Sequence, residues 1–204
     1  MPSRNVLKQD VAGGYYHIYN RGVDKRLIFL ERKDYAVFLN LLKRYLSIEA
    51  HKDNKGVIYP HFYNQLELLS FCLMPNHLHL LIYQDEPGTM RKLMSGVFTS
   101  YSKYFNKTYK RRGPLFESRY KASLISDQIY LEHISRYIHL NPSEWRQYSY
   151  SSLPYFLGRL KAEWVRPAKV ADLFDSKADY LKFMEDYEGH RQMLEQTKRE
   201  LANY

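Results

Sequence analysis

Two histidines one residue apart, His77 and His79, are the residues whose type and spacing first suggest chemistry. They open the run His77-Leu78-His79-Leu80-Leu81-Ile82, which is strand-like in length and residue type and precedes polar Gln84, Asp85 and Glu86. Strand side chains alternate faces, so both imidazoles point one way while Leu78 and Leu80 point the other. Two neighbouring imidazoles with an apolar backing make a ready pair of metal ligands. The plainer alternative is two histidines on a half-buried strand. Further on, His133, Tyr137 and Asn141 are spaced i, i+4, i+8. On a helix successive members turn by only about 40°, so they form one polar stripe. Leu131, Ile134 and Ile138 form an adjacent apolar stripe suited to lying on a sheet. Tyr137 then stands at the edge of the anchored face, where a tyrosine alone reads as an amphipathic border residue.

The elements that must position these residues are legible. Gly13 to Asn20 reads as a first strand, ended by Arg21-Gly22. From Glu31 to about Ala50, Tyr35, Phe38, Leu39, Leu42, Tyr45 and Leu46 fall at helical spacing, and a polar loop, His51 to Gly56, comes next. A strand from about Phe62 to Leu73, the Pro75-Asn76 turn and the His77–Tyr83 strand make a hairpin. Met90, Leu93, Met94, Val97, Phe98, Tyr101 and Phe105 mark a second helix, and Tyr120 to Ser126 a last strand. Ser126 or Asp127 caps a third helix that reaches about Leu140, before Asn141-Pro142. Strand, helix, strand, strand, helix, strand is the order of a ferredoxin-like split βαβ fold: α+β, an antiparallel sheet with helices on one face. A Tyr/Ser-rich stretch (148–155), a connector with Trp164 and Pro167, and a helix near Ser176 complete the chain. In that helix Ser176 and Asp179 resemble a capping box, and Tyr180, Phe183, Met184 and Tyr187 form the inner face. The expected division is a domain over 1–152 and a C-terminal helical extension over 153–204.

Composition narrows the partners. The 204 residues are 45% hydrophobic and 26% charged, ordinary for a soluble globular protein. No apolar run approaches the ~18 residues of a membrane span. The polar N-terminus is unlike a signal peptide, and Cys72 is the only cysteine, so a cytoplasmic location is expected. The net charge of +9 is uneven: residues 1–160 carry 23 Lys/Arg against 13 Asp/Glu, and residues 161–204 carry 8 against 9. The basic surface therefore belongs to the first 160 residues and suits a polyanion such as nucleic acid. Its densest part holds Lys103, Lys107, Lys110, Arg111, Arg112, Arg119 and Lys121 against Glu117 alone, interleaved with Tyr104, Tyr109, Phe116 and Tyr120. Such rings can stack on unpaired bases, although most aromatic residues are expected to be core. Arg136 is a further candidate for gripping phosphate, as are Arg21, Lys25 and Arg26 after the first strand.

Tyr137-Ile138-His139-Leu140-Asn141-Pro142, after a His-x-His strand and the basic segment Gly113-Pro114-Leu115-Phe116-Glu117-Ser118-Arg119-Tyr120-Lys121, resembles the single-tyrosine HUH transposases. More narrowly it resembles the REP-associated tyrosine transposases, relatives of insertion-sequence transposases that sit beside short palindromic repeats. The likeness runs from about Tyr15 to Ser152 and comprises several ordered motifs. It implies metal ligation by His77 and His79 and a nucleophilic Tyr137. Asn141 would be the third ligand, where insertion-sequence relatives usually have glutamine and REP-associated ones asparagine. The likeness further implies Mg²⁺ or Mn²⁺ as cofactor and single-stranded DNA, often folded as a hairpin, as substrate. The products would be a 5′-phosphotyrosine and a free 3′-OH, with strands rejoined by reversal. Insertion-sequence relatives form homodimers that exchange tyrosine helices and REP-associated ones act as monomers, so monomer and homodimer both stay open.

The chemistry fits these residue types. Three neutral ligands leave a divalent ion its full charge for the scissile phosphate. A phenol with a free pKa near 10 must lose its proton during attack, and His133 on the same stripe is a candidate general base. Two other readings stay open: a non-catalytic nucleic-acid-binding module on a ferredoxin-like sheet, and a metal-dependent phosphodiesterase using water, with Tyr137 structural.

Overall fold

The computed structural model describes residues 10–186, and its elements occur in the order that apolar spacing predicts. Strand β1 (Gly14–Arg21), helix α1 (Arg32–Leu46), strands β2 (Leu66–Met74) and β3 (His77–Gln84), helix α2 (Thr89–Thr108) and strand β4 (Lys121–Ile125) form the split βαβ unit. The strands make one antiparallel sheet in the order β2-β3-β1-β4. Next come helix α3 (Gln128–His139), α4 (Leu153–Phe156), α5 (Ala168–Ala171) and α6 (Lys177–Glu185). Helix α1 stops at Leu46, short of Ala50, because Ser47 is extended and its hydroxyl donates to the Lys43 carbonyl at 2.9 Å. The short helices α4 and α5 replace what sequence alone reads as stretch and connector.

Alternation along the strands divides the buried side chains into two cores. Ile18, Leu68, Phe71, Leu73, Leu78, Leu80 and Ile82 face α1 and α2, the covered face expected of the unit. Leu69, Cys72, Leu81 and Ile125 face the other way, where α3 and the later helices lie on them through Leu131, Ile134, Ile138, Phe156, Val170, Tyr180 and Met184. Both faces are therefore covered, one by α1 and α2 and the other by α3 and the helices after it. Each fully buried apolar side chain contributes about 1.5–3 kcal/mol, so neither face is incidental to stability.

Three local devices hold the frame. Fully buried Asp34 accepts from the hydroxyls of Tyr104 and Tyr109, each at 2.8 Å, and from the backbone nitrogens of Leu30 and Glu31 at 2.8 and 3.1 Å, tying α2 to the start of α1. Asp127 caps α3 by accepting from the Tyr130 nitrogen at 2.8 Å. Edge strand β2 is covered by the chain beyond α3: the Leu73 nitrogen donates to the Tyr150 carbonyl and the Ser152 nitrogen to that of Phe71, both at 2.9 Å. The Arg166 nitrogen donates to the Leu68 carbonyl further along the same edge, at 2.8 Å. Ser176 caps α6 as expected, accepting from the Asp179 nitrogen at 3.1 Å, and Tyr180 and Met184 are buried; Tyr187 lies outside the described residues.

Candidate active site

The β2–β3 turn sets His77 in place. The Pro75 carbonyl accepts from the nitrogens of Ile28 and Phe29 at 2.8 and 3.1 Å, and the Asn76 carbonyl accepts from the Gly22 nitrogen at 2.8 Å. A β-carbon on Gly22 would strike the Arg26 carbonyl and the Ile28 side chain, so this close approach needs glycine. Register then places His77 beside Arg21 and His79 beside Tyr19 and Cys72. Directly paired residues share a face, so His77, His79, Tyr19, Arg21 and Lys121 lie on the side of the sheet that meets α3.

Helix α3 brings its polar residues onto this face. Asn141, just beyond the helix, lies with Oδ1 2.9 Å from His77 Nε2. The Tyr137 ring packs edge-on against His79 and His17, with centroids 5.2 and 5.9 Å apart. The structure thus brings together Tyr137, His77, His79 and Asn141, four of the five residues singled out in the sequence. Tyr137 is only 5% exposed. Burial pushes its phenol well above the usual value, and a hydrogen bond with Asn141 pulls partly against it. Burial holds His77, His79 and His17 below the usual imidazole range, His17 down to about 3. All three are therefore neutral at pH 7, the state in which imidazole can ligate a metal.

The residues present fit a divalent cation. Asn76 Nδ2 donates to the Lys25 carbonyl at 3.3 Å, which turns its Oδ1 to His77 Nδ1 at 2.7 Å. A neutral imidazole has one N–H, and here Asn76 takes it. Nε2 of His77 is then a lone pair facing the Asn141 oxygen. Neighbouring ligands in an octahedral shell of ~2.1 Å radius stand about 3 Å apart, close to the 2.9 Å between these two atoms. Among the described residues no three His, Cys, Asp or Glu side chains converge on one point. Asn141 would add an amide oxygen beside the two histidines.

Two expectations need correction. His133 Nδ1 accepts from Arg136 Nη2 at 2.8 Å and its ring lies 5.5 Å from Phe183 of α6, on the extension side. The ~40° drift per step of the stripe leaves only Tyr137 and Asn141 at the histidine pair. Arg136, expected to grip phosphate, is 1% exposed; its guanidinium lies 4.2 Å over the Phe183 ring and donates to the Phe183 carbonyl at 3.1 Å. Without α6 in view, nothing distinguishes it from a surface arginine.

The other cations gather unevenly. Arg21 pairs with Glu117 at 2.9 Å, and Lys121 stands 5.8 Å from the Tyr19 ring centre, so both flank the histidines. Asn20 Nδ2 donates to the carbonyls of Ser118 and Arg119, which holds the basic loop against the same end of the sheet. Arg111 bonds Asn106 at 2.9 Å and Arg26 lies 3.7 Å from Asp24, while Lys25, Lys103, Lys107, Lys110, Arg112 and Arg119 are exposed. The interleaved aromatics are structural: Phe116 and Tyr120 are buried, and Tyr104 and Tyr109 bond Asp34. Sequence reasoning missed His17, whose Nε2 lies 3.0 Å from His79 Nδ1. Period-two alternation from Arg21 through Tyr19 to His17 was the available signal, but it needs the β1–β3 register to acquire meaning.

The chain shares this fold with a REP-associated tyrosine transposase solved with a REP hairpin. The likeness covers 78% of this chain and 89% of that one, with a TM-score of 0.52 and 12% identity. A candidate transposase of Deinococcus radiodurans R1 is more distant, at 15% identity, a TM-score of 0.37, and 68% and 95% of the two chains covered. No curated protein sequence matches. No helix among the described residues is long and apolar enough to cross a membrane. Residues 37–141, just over half of the chain and the span from α1 to Asn141, match the family model for IS200-like transposases, and the chain belongs to that family.

Proposed function

We propose that this protein cleaves and rejoins single-stranded DNA bearing a hairpin, through Tyr137 and a divalent cation, Mg²⁺ or Mn²⁺, held by His77, His79 and Asn141. The observation that carries the reading is that one chain brings the Tyr137 ring onto His79 while Asn141, one helical turn on, meets His77. The family supplies the transposase class. The hairpin is the ligand of the similarly folded REP-associated protein, and we extend it to this chain. One protomer holds nucleophile and ligands together, which supports action as a monomer.

The Tyr137 oxygen forms a bond to phosphorus as the bond from phosphorus to the 3′ oxygen breaks. The phenolic proton leaves to solvent and the departing 3′ oxygen gains one. The DNA 5′ end stays on Tyr137 as a phosphodiester, so reversal rejoins strands without ATP. A bound divalent cation supplies positive charge to the scissile phosphate and to the oxygens that exchange. Arg21 and Lys121 flank the site and hold the phosphates beside it, while Lys25, Arg119 and the exposed cations at the end of α2 track the strand outward. Three neutral imidazoles and an amide add no negative charge to repel DNA.

The test is cleavage of labelled oligonucleotides carrying hairpins from DNA flanking the gene, with Mn²⁺. The expected products are a fragment with an extendable 3′-OH and a fragment retained on protein, both lost in Tyr137→Phe. A Tyr137→Phe protein that still cuts would identify a water-using phosphodiesterase, and tight hairpin binding without cutting would identify a binding module.

A further inference from the structure

His79 has a partner on the strand beside it. His17 Nε2 lies 3.0 Å from His79 Nδ1; the rings are 20° from parallel with centroids 5.1 Å apart, and both are buried. A neutral imidazole carries one N–H, so a single proton sits between the facing nitrogens. If it is on His17, the proton of His79 is on Nε2, and that nitrogen has no lone pair to give. If it is on His79 Nδ1, Nε2 of His79 is bare. His77 meets the same requirement through Asn76 Oδ1, which can only accept. His17 can donate or accept, so its pairing is fixed only when something takes the outer lone pair of His79.

We propose that His17 is a positioning residue: it accepts the Nδ1–H of His79 and so leaves His79 Nε2 as a lone-pair donor to the divalent cation. This rests on the metal reading above. In this role His17 is not itself a ligand, because its Nε2 is turned to His79 Nδ1. Its placement is rigid, because β1 is paired on both sides, to β3 and β4. The Tyr137 ring edge rests on both imidazoles, so the pair that orients the ligand also supports the nucleophile.

The test is Mn²⁺ affinity by calorimetry, with metal-bound imidazole nitrogens counted by pulsed electron paramagnetic resonance. Outer partners of metal-bound histidines are typically worth about 10–100-fold in affinity. His17→Phe, which cannot accept, is expected to bind Mn²⁺ that much more weakly. His17→Gln, whose Oε1 can accept, is expected within a few-fold of wild type, with two coordinated imidazoles in both. Thermal unfolding without metal checks the fold, and His17→Leu replaces the Phe variant should that one not fold. Wild-type affinity in the Phe or Leu variant, or a Gln variant as weak as they are, would overturn the proposal and leave the metal site standing. A nitrogen count falling from three to two in His17→Gln would make His17 a ligand and overturn it likewise. A wild type that binds no Mn²⁺ would overturn the metal reading, and this proposal with it.

Discussion

The two faces of the sheet are built from the same four strands and have opposite characters. Toward α1 and α2 the strands present Ile18, Phe71, Leu78, Leu80 and Ile82, an apolar layer whose nearby charge, Asp34, is enclosed by four donors. Toward α3 they present His17, Tyr19, Arg21, Cys72, His77 and His79, with apolar packing continuing through Leu69, Leu81 and Ile125. Period-two alternation lets one strand serve both, so Leu78 and Leu80 anchor what His77 and His79 present. Scaffold and chemistry are thereby separable residue by residue, and the comparison can be broken experimentally.

The largest expected effect is on the reactive face. His77→Ala should lower hairpin cleavage by at least about 1,000-fold, as removal of a group acting in a catalytic unit does. The melting temperature without metal should stay within about 2 °C, since the residue is only partly buried. A collapse in stability would show that the faces are not separable. On the opposite face Leu80→Ala should cost about 2–5 kcal/mol in chemical denaturation while the folded fraction keeps its Mn²⁺ affinity. Acid gives an intermediate effect. His139 is fully buried, bonding Tyr180 and Ser152 at 2.6 and 2.7 Å, and is held neutral down to about 3. The unfolded chain takes up that proton first, near pH 6.5, so the stabilisation is complete above 6.5. It is lost by up to about 1.4 kcal/mol per pH unit on descending toward 3. In His139→Gln the pH slope of denaturation should be smaller by about one proton. The smallest effect belongs to the exposed cations: Lys107→Gln should weaken hairpin binding a few-fold and reduce the salt slope of affinity by about one.

Much of this was legible because its signals are local. Apolar spacing located α1, α2 and α3, residue type and bounding turns or polar residues located β1 and β3, and Asp127 and Ser176 marked helix starts that the structure confirms. The candidate pair His77 and His79 could be read from strand alternation, whereas Tyr137 and Asn141 stood out only through the ordered motifs that resemble the transposase family. What was not legible depends on contacts between distant segments. His17 meets His79 only through a strand pairing 62 residues apart. Arg136 and His133 turn away from the sheet pair because α6 arrives from 47 residues further on to receive them. The aromatic residues of the basic segment looked suited to bases until Asp34 and the core accounted for them.

The most direct test of the central claim is mass spectrometry of the protein after reaction with hairpin DNA and Mn²⁺, with nuclease and trypsin digestion before measurement. The account predicts a nucleotide linked through phosphate to the peptide that contains Tyr137, absent in His77→Ala. Cleaved DNA with no such adduct, or an adduct on another of the 20 tyrosines, would contradict it.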